Sequence, residues 1–118
     1  MKLTISKDVF LTELKKQFND YFAYLKIEFL EKSRSSAKKT NFPIITEKRI
    51  GELTTKLINQ ELEITPTMTV SELEDTFKQK LDLRIVVYRK SGKIWLETSA
   101  TEHWSLFKQN QFGQLLGS

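Results

Sequence analysis

Residues 62–88, LEITPTMTVSELEDTFKQKLDLRIVVY, decide the fold because they repeat residues 3–30, LTISKDVFLTELKKQFNDYFAYLKIEFL. The apolar positions of the two stretches match at a spacing of 59 through a helical pattern, and at a spacing of 58 after one residue is lost. The matched pairs are Leu3/Leu62, Val9/Met68, Leu14/Leu73, Phe18/Phe77, Phe22/Leu81, Leu25/Leu83, Ile27/Ile85 and Phe29/Val87. A fixed period of this kind indicates an internal repeat.

The repeat predicts an α+β fold made of two tandem strand–helix–strand–(strand)–helix copies, about residues 1–59 and 60–118. A domain of about 60 residues buries only about 60% of its unfolded surface, so the copies are expected to share one core. A strand, a helix and a strand in succession favour a right-handed parallel crossover, and hence a mixed sheet. We therefore predict a single domain over residues 1–118, with two separate small modules as the alternative.

The helix starts differ between the copies. In the second copy Thr69 and Glu72 have the spacing of a capping box ahead of a helix at residues 70–81. The first copy has Phe10 in place of Thr69, and Phe10 cannot accept a backbone hydrogen bond. We therefore expect Asp8 to cap a helix at residues 8–23.

Two further helices are predicted outside the repeat. Thr46 is expected to cap a helix whose apolar stripe is Ile50, Leu53 and Leu57. A short helix is expected at residues 105–111, with Gly113 in a frayed tail.

A hairpin is predicted to follow the second copy. Ser91 and Gly92 fit a two-residue turn, which would place Tyr88 opposite Trp95 and Val87 opposite Leu96. Because side chains alternate along strands, Ile85, Val87, Ile94 and Leu96 would share one face, and Val86, Tyr88 and Trp95 the other.

Residues 89–98, RKSGKIWLET, together with Trp104 and Leu106, resemble a family of small bacterial proteins of unknown activity. The resemblance implies the same duplicated α+β plan and no particular chemistry.

The composition is that of a folded globular protein, with 39% hydrophobic and 29% charged residues. There is no cysteine and one histidine, His103, which excludes disulfides and the usual zinc ligand sets. No phosphate-binding glycine cluster and no nucleophile–base motif is present. We therefore expect no enzymatic activity, no cofactor and no metal.

No apolar run reaches the length of a signal core or membrane span, so a cytoplasmic protein without membrane association is expected. The net charge of +4 is divided unevenly: residues 1–59 hold 12 Lys/Arg and 7 Asp/Glu, and residues 60–118 hold 7 and 8. This balance is compatible with a polyanionic partner or with an acidic protein surface.

A basic loop is the first candidate site. Where the second copy turns in two residues, the first inserts about ten, and long insertions on a stable framework are often functional. The loop contains Lys32, Arg34, Lys38 and Lys39. With an aromatic such as Trp95 nearby it would suit nucleic-acid binding; otherwise it is a solvated loop.

An aromatic face is the second candidate site. Val86, Tyr88 and Trp95 occupy a sheet face that should be polar if it is exposed. The chain itself could cover them with the helix predicted at residues 50–57 or with the C-terminal tail; the alternative is a partner. The leading hypothesis is a non-enzymatic protein–protein interaction or scaffold module, including self-association, and the alternative is a nucleic-acid-binding module that uses the basic loop.

Overall fold

The computed structural model of the chain describes residues 1–31, 42–56 and 59–117. These residues form an α+β fold, as predicted. The strands are β1 (Lys2–Ile5), β2 (Leu25–Phe29), β3 (Gln60–Glu63), β4 (Ile85–Ser91) and β5 (Ile94–Glu97). The helices are α1 (Leu11–Tyr21), α2 (Val70–Leu81) and α3 (Leu106–Gly117), and two 3₁₀ turns lie at Ile50–Glu52 and Ser99–Thr101.

The described strands form two antiparallel sheets. β1 pairs with β3 in one sheet, and the other has the order β2–β4–β5. The predicted parallel crossover and mixed sheet are therefore wrong, because the two strands that flank each helix belong to different sheets. β1 and β2 each bury every second side chain. Such one-sided burial suits antiparallel pairing, whereas parallel sheets are covered on both faces.

Each ladder contains one pair of residues at the spacing of the repeat. Leu3 lies opposite Leu62 in the β1–β3 pair, and Glu28 lies opposite Val86 in the β2–β4 pair. These residues are 59 and 58 positions apart, which are the two spacings found in the sequence. One pair of equivalent positions thus lies face to face in each ladder, and antiparallel pairing allows only one such pair per ladder. The ancestral duplication itself stays a prediction.

The hydrophobic core draws on both predicted copies. One cluster of buried residues includes Leu3 and Phe18 from the first and Leu62 and Phe77 from the second. The rings of Phe29 and Phe77 meet edge to face with centroids 5.7 Å apart. α1 and α2 direct their apolar stripes into this cluster, as the helical spacing of those stripes requires.

The two helix starts are built differently. The predicted capping box of α2 is confirmed: the Glu72 amide donates to Thr69 Oγ1 at 3.1 Å, and the Thr69 amide donates to Glu72 Oε1 at 3.3 Å. The prediction that Asp8 caps α1 is wrong, since α1 starts after Phe10 without a side-chain cap. The Leu11 amide instead donates to the Lys48 carbonyl at 2.9 Å. A neighbouring segment therefore accepts a hydrogen bond from one of the first-turn amides that have no partner within the helix.

The helix predicted after Thr46 is only the 3₁₀ turn Ile50–Glu52, and Leu57 lies outside the described residues. The amides of Ile50 and Gly51 donate to the carbonyls of Val9 and Lys7, both at 2.9 Å. These first amides of the turn have no partner within it, and another segment accepts their hydrogen bonds.

α3 is longer than predicted and includes Gly113, which was expected in a frayed tail. A Cβ at this position would lie 2.7 Å from Tyr24 Cβ and 3.0 Å from the Tyr24 carbonyl oxygen. The Tyr24 amide also donates to Asn110 Oδ1 at 2.9 Å, one turn away on the same helix. Gly113 therefore allows the close approach of α3 to the start of β2.

Replacing Gly113 with alanine should destabilise the protein by about 1–3 kcal/mol, because the new methyl group meets backbone and Cβ atoms of Tyr24. The clash must outweigh the gain of up to about 1 kcal/mol that alanine brings to a helix interior. Chemical denaturation gives the free energy of unfolding. Gln114→Ala, at an exposed position on the same helix, is the control and should change it little. A Gly113→Ala variant as stable as the original would contradict the proposed packing.

Candidate interaction surface

The β4–β5 hairpin turns at Gly92 and Lys93, with Ser91 opposite Ile94. The turn predicted at Ser91 and Gly92 is therefore displaced by one residue. Gly92 has φ +60°, and it occupies the first central position of the turn, where a type II′ turn requires glycine.

The displaced turn changes the partners in the hairpin. Trp95 lies opposite Lys90 and Tyr88 lies opposite Glu97, so the predicted pairing of Tyr88 with Trp95 is wrong. However, each partner moves by two positions, and because side chains alternate along a strand, every residue keeps its predicted face of the sheet. Tyr88 and Trp95 still share one side of the sheet, as predicted. We call this side the outer face; its side chains are Lys26, Glu28, Val86, Tyr88, Lys90, Trp95 and Glu97.

Lysine side chains lie against the aromatic rings of the outer face. Lys26 Nζ is 5.4 Å from the Tyr88 ring centroid and 5.0 Å from that of Trp95, and Lys90 Nζ is also 5.0 Å from the Trp95 centroid. These are cation–π distances, and the aliphatic stems shield part of each ring. Val86, Tyr88 and Trp95 are accordingly half-buried.

Neither of the predicted intramolecular covers lies on the outer face. The Ile50–Glu52 turn is bonded to Lys7 and Val9 in the first half of the chain. α3 packs on the opposite, inner face, where Arg89 Nη1 donates to Gln109 Oε1 at 2.9 Å. The fully buried Gln109 in turn donates to the Thr101 carbonyl at 2.7 Å. Within the described residues, lysine side chains rather than a helix therefore cover these rings.

The inner face of β5 is open, which the sequence interpretation missed. Ile85 and Val87 are buried as expected, but Ile94 is 58% exposed and Leu96 is 40% exposed. β5 lies at the edge of its sheet, with β4 as its neighbour on one side. One indication of this exposure was present in the sequence: residues 99–118 show no strand pattern that could pair with β5 and cover it.

The backbone of β5 is also open along its outer edge. The Thr98 amide donates to the Val87 carbonyl at 3.2 Å, which makes Val87 and Thr98 a hydrogen-bonded pair. Such pairs alternate along an antiparallel ladder, so the backbone N–H and C=O groups of Trp95 and Glu97 point away from β4. No hydrogen bond from residues 1–31, 42–56 or 59–117 reaches these groups. An edge of this kind is a template for another strand.

The charges around the outer face affect Tyr88. Partial burial raises the pKa of the Tyr88 hydroxyl, and the nearby carboxylates of Glu97 and Glu28 raise it further. Glu28 is itself paired with Lys15 at 3.2 Å. Burial and these carboxylates therefore disfavour ionisation of the Tyr88 hydroxyl.

Glu74 is a second unusual carboxyl, at a separate position. Burial, followed by the nearby carboxylates of Glu102 and Asp75, raises its pKa from 4.5 to about 7, although Arg84 opposes the shift. It lines a shallow cleft together with Ser71 and Lys78. Glu102 lies beyond β5 in the sequence, so only the fold brings its charge beside Glu74.

The other predicted site, the basic loop of Lys32, Arg34, Lys38 and Lys39, belongs to a part of the chain that is not described. Among the residues that are described, no group of three or more His, Asp or Glu side chains could hold a metal ion. No helix in the described part of the chain is long and apolar enough to cross a membrane.

Comparison with known proteins finds no relative. No protein-family model matches the chain, and neither the curated proteins nor the solved structures contain a match. The interpretation of the surface therefore depends on its own chemistry.

The free energy of unfolding should fall as the pH rises from about 5 to about 8. The unfolded chain releases the Glu74 proton near 4.5, whereas the folded chain retains it up to about 7. The expected loss is on the order of 1 kcal/mol, because the carboxyl is only partly buried and solvent screens it. Glu74→Gln should remove this part of the pH dependence in denaturation curves. Glu63→Gln, at an exposed position on β3, is the control, and an unchanged slope in Glu74→Gln would contradict the assignment.

Proposed function

We propose that the protein is a non-enzymatic protein–protein interaction module that binds its partner along the edge of β5. The observation that carries the proposal is the set of outward-facing backbone groups at Trp95 and Glu97. An extended segment can add to such an edge, with main-chain hydrogen bonds providing affinity and side-chain contacts providing specificity. A scaffold role and a cytoplasmic location, both expected from the sequence, belong to the same proposal.

The side chains of β5 support binding of a polypeptide. Trp95 presents an aromatic ring on the outer face, and tryptophan is enriched among the residues that dominate binding energy. Ile94 and Leu96 present exposed aliphatic groups on the inner face. An added strand would contact both kinds of surface while its backbone pairs with β5.

Replacing Trp95 with alanine should abolish or strongly weaken partner capture while the protein remains folded. The substitution removes ring contacts to Lys26 and Lys90 at the surface and leaves the core unchanged. Affinity capture from the native cell, followed by quantitative mass spectrometry, compares the two proteins. Circular dichroism checks that both are folded.

Phe107→Ala is the matched control, since Phe107 is an exposed aromatic residue on α3 and not on the hairpin. It should retain the same captured proteins as the original chain. Equal capture by the Trp95 and Phe107 variants would count against β5 as the binding edge.

Nucleic-acid binding is the second candidate function. The supporting observation is that Lys26 and Lys90 lie beside Trp95, since cations and stacking aromatics together suit single-stranded nucleic acid. Affinity for single-stranded RNA or DNA should then fall steeply with salt, and replacing Lys38 and Lys39 with alanine should reduce the slope. The absence of binding at low salt would exclude this function.

A further inference from the structure

We propose that the partner is a second copy of this chain, and that the two β5 strands pair antiparallel with Trp95 opposite Trp95 of the second copy. This inference rests on the proposed function, because it names the occupant of the same edge. The three-stranded sheet of each copy would then continue into the other, which gives one sheet of six strands. The contact is self-complementary, as a two-fold symmetric dimer requires.

The backbone limits the possible registers. Two copies of an edge strand pair antiparallel when a two-fold axis runs perpendicular to the sheet, and each residue then keeps its face. The groups available for hydrogen bonds are those of Trp95 and Glu97, whereas Lys93 belongs to the turn that precedes β5. These outward-facing residues must therefore oppose one another across the new ladder.

The side chains select one of these registers. With Trp95 at the centre, Lys93 lies opposite Glu97 of the second copy, and the symmetry repeats this pair of opposite charges. On the other face, Ile94 lies opposite Leu96 of the second copy, so that the exposed aliphatic groups of β5 meet. Moving either strand by two residues separates Lys93 from Glu97 and loses both ion pairs.

The charges at the two ends of β5, on Lys93 just before the strand and on Glu97 at its last residue, are distributed as this pairing needs. Lys93 and Glu97 are both exposed, and within the described residues neither makes an ion pair. Charges on an edge strand usually prevent pairing with other strands. Here a cation and an anion lie two positions on either side of Trp95, so repulsion is replaced by attraction only when two copies run antiparallel in this register.

Charge reversal tests the register in solution. Sedimentation velocity across a range of protein concentrations should show that the original chain dimerises. Lys93→Glu and Glu97→Lys should each weaken dimerisation at least tenfold, because like charges then oppose each other across the ladder. An equimolar mixture of these two variants should form a heterodimer, and the double variant Lys93→Glu/Glu97→Lys should again form a homodimer.

Lys80→Glu controls for the change of net charge, since Lys80 is an exposed residue of α2 and not of the hairpin. It should dimerise like the original chain, and circular dichroism should show that all variants are folded. An original chain that stays monomeric at every concentration overturns the proposal. Failure of the mixed variants to associate, when each alone is monomeric, overturns the register.

These outcomes separate the inference from the proposed function. If the original chain is monomeric but Trp95-dependent capture of another protein persists, β5 binds a different partner and only self-pairing is wrong. If both dimerisation and Trp95-dependent capture are absent, the proposed function is wrong as well.

Discussion

The antiparallel pairing of strands between the two halves of the chain is the constraint on which the rest of the structure depends. β1 pairs with β3 and β2 pairs with β4, so neither half completes a sheet alone. Each sheet has one apolar face, and the helices of both halves close against these faces in a common core. Because β2 occupies one side of β4, the hairpin strand β5 can occupy only the other, and it becomes the edge. The exposed edge of β5 is therefore a consequence of the strand pairing between the two halves.

The features predicted correctly are those that depend on residues close together in the sequence. The capping box of Thr69 and Glu72 needs residues of one helical turn, and the division of the hairpin into two faces needs only the alternation of side chains. The position of the hairpin turn depended on a finer rule, the preference for glycine at the first central position. The prediction placed Gly92 second, and the partners of Trp95 moved accordingly.

The elements predicted wrongly depend on contacts between distant residues. The sequence places a helix between two strands, but it does not say whether those strands pair with each other or with the other half. The cap of α1 comes from Lys48, more than 30 residues away, and the length of α3 depends on the fit of Gly113 against Tyr24. For the candidate surface, the identities of Val86, Tyr88 and Trp95 were visible in the pattern. Their lysine cover and the exposure of Ile94 could be seen only once the edge of the sheet was known.

The proposed pairing divides affinity and specificity between different groups. Exposed ion pairs are worth about 0–1 kcal/mol each, so Lys93 and Glu97 would add little to the affinity of two copies. Affinity must come from the main-chain hydrogen bonds and from the area buried by Trp95, Ile94 and Leu96. Like charges placed opposite each other are unfavourable, however, and the same two residues would penalise other registers and many other strands. A short edge strand with one positive and one negative charge at its ends can thus disfavour nonspecific aggregation and still pair with the same strand of a second copy.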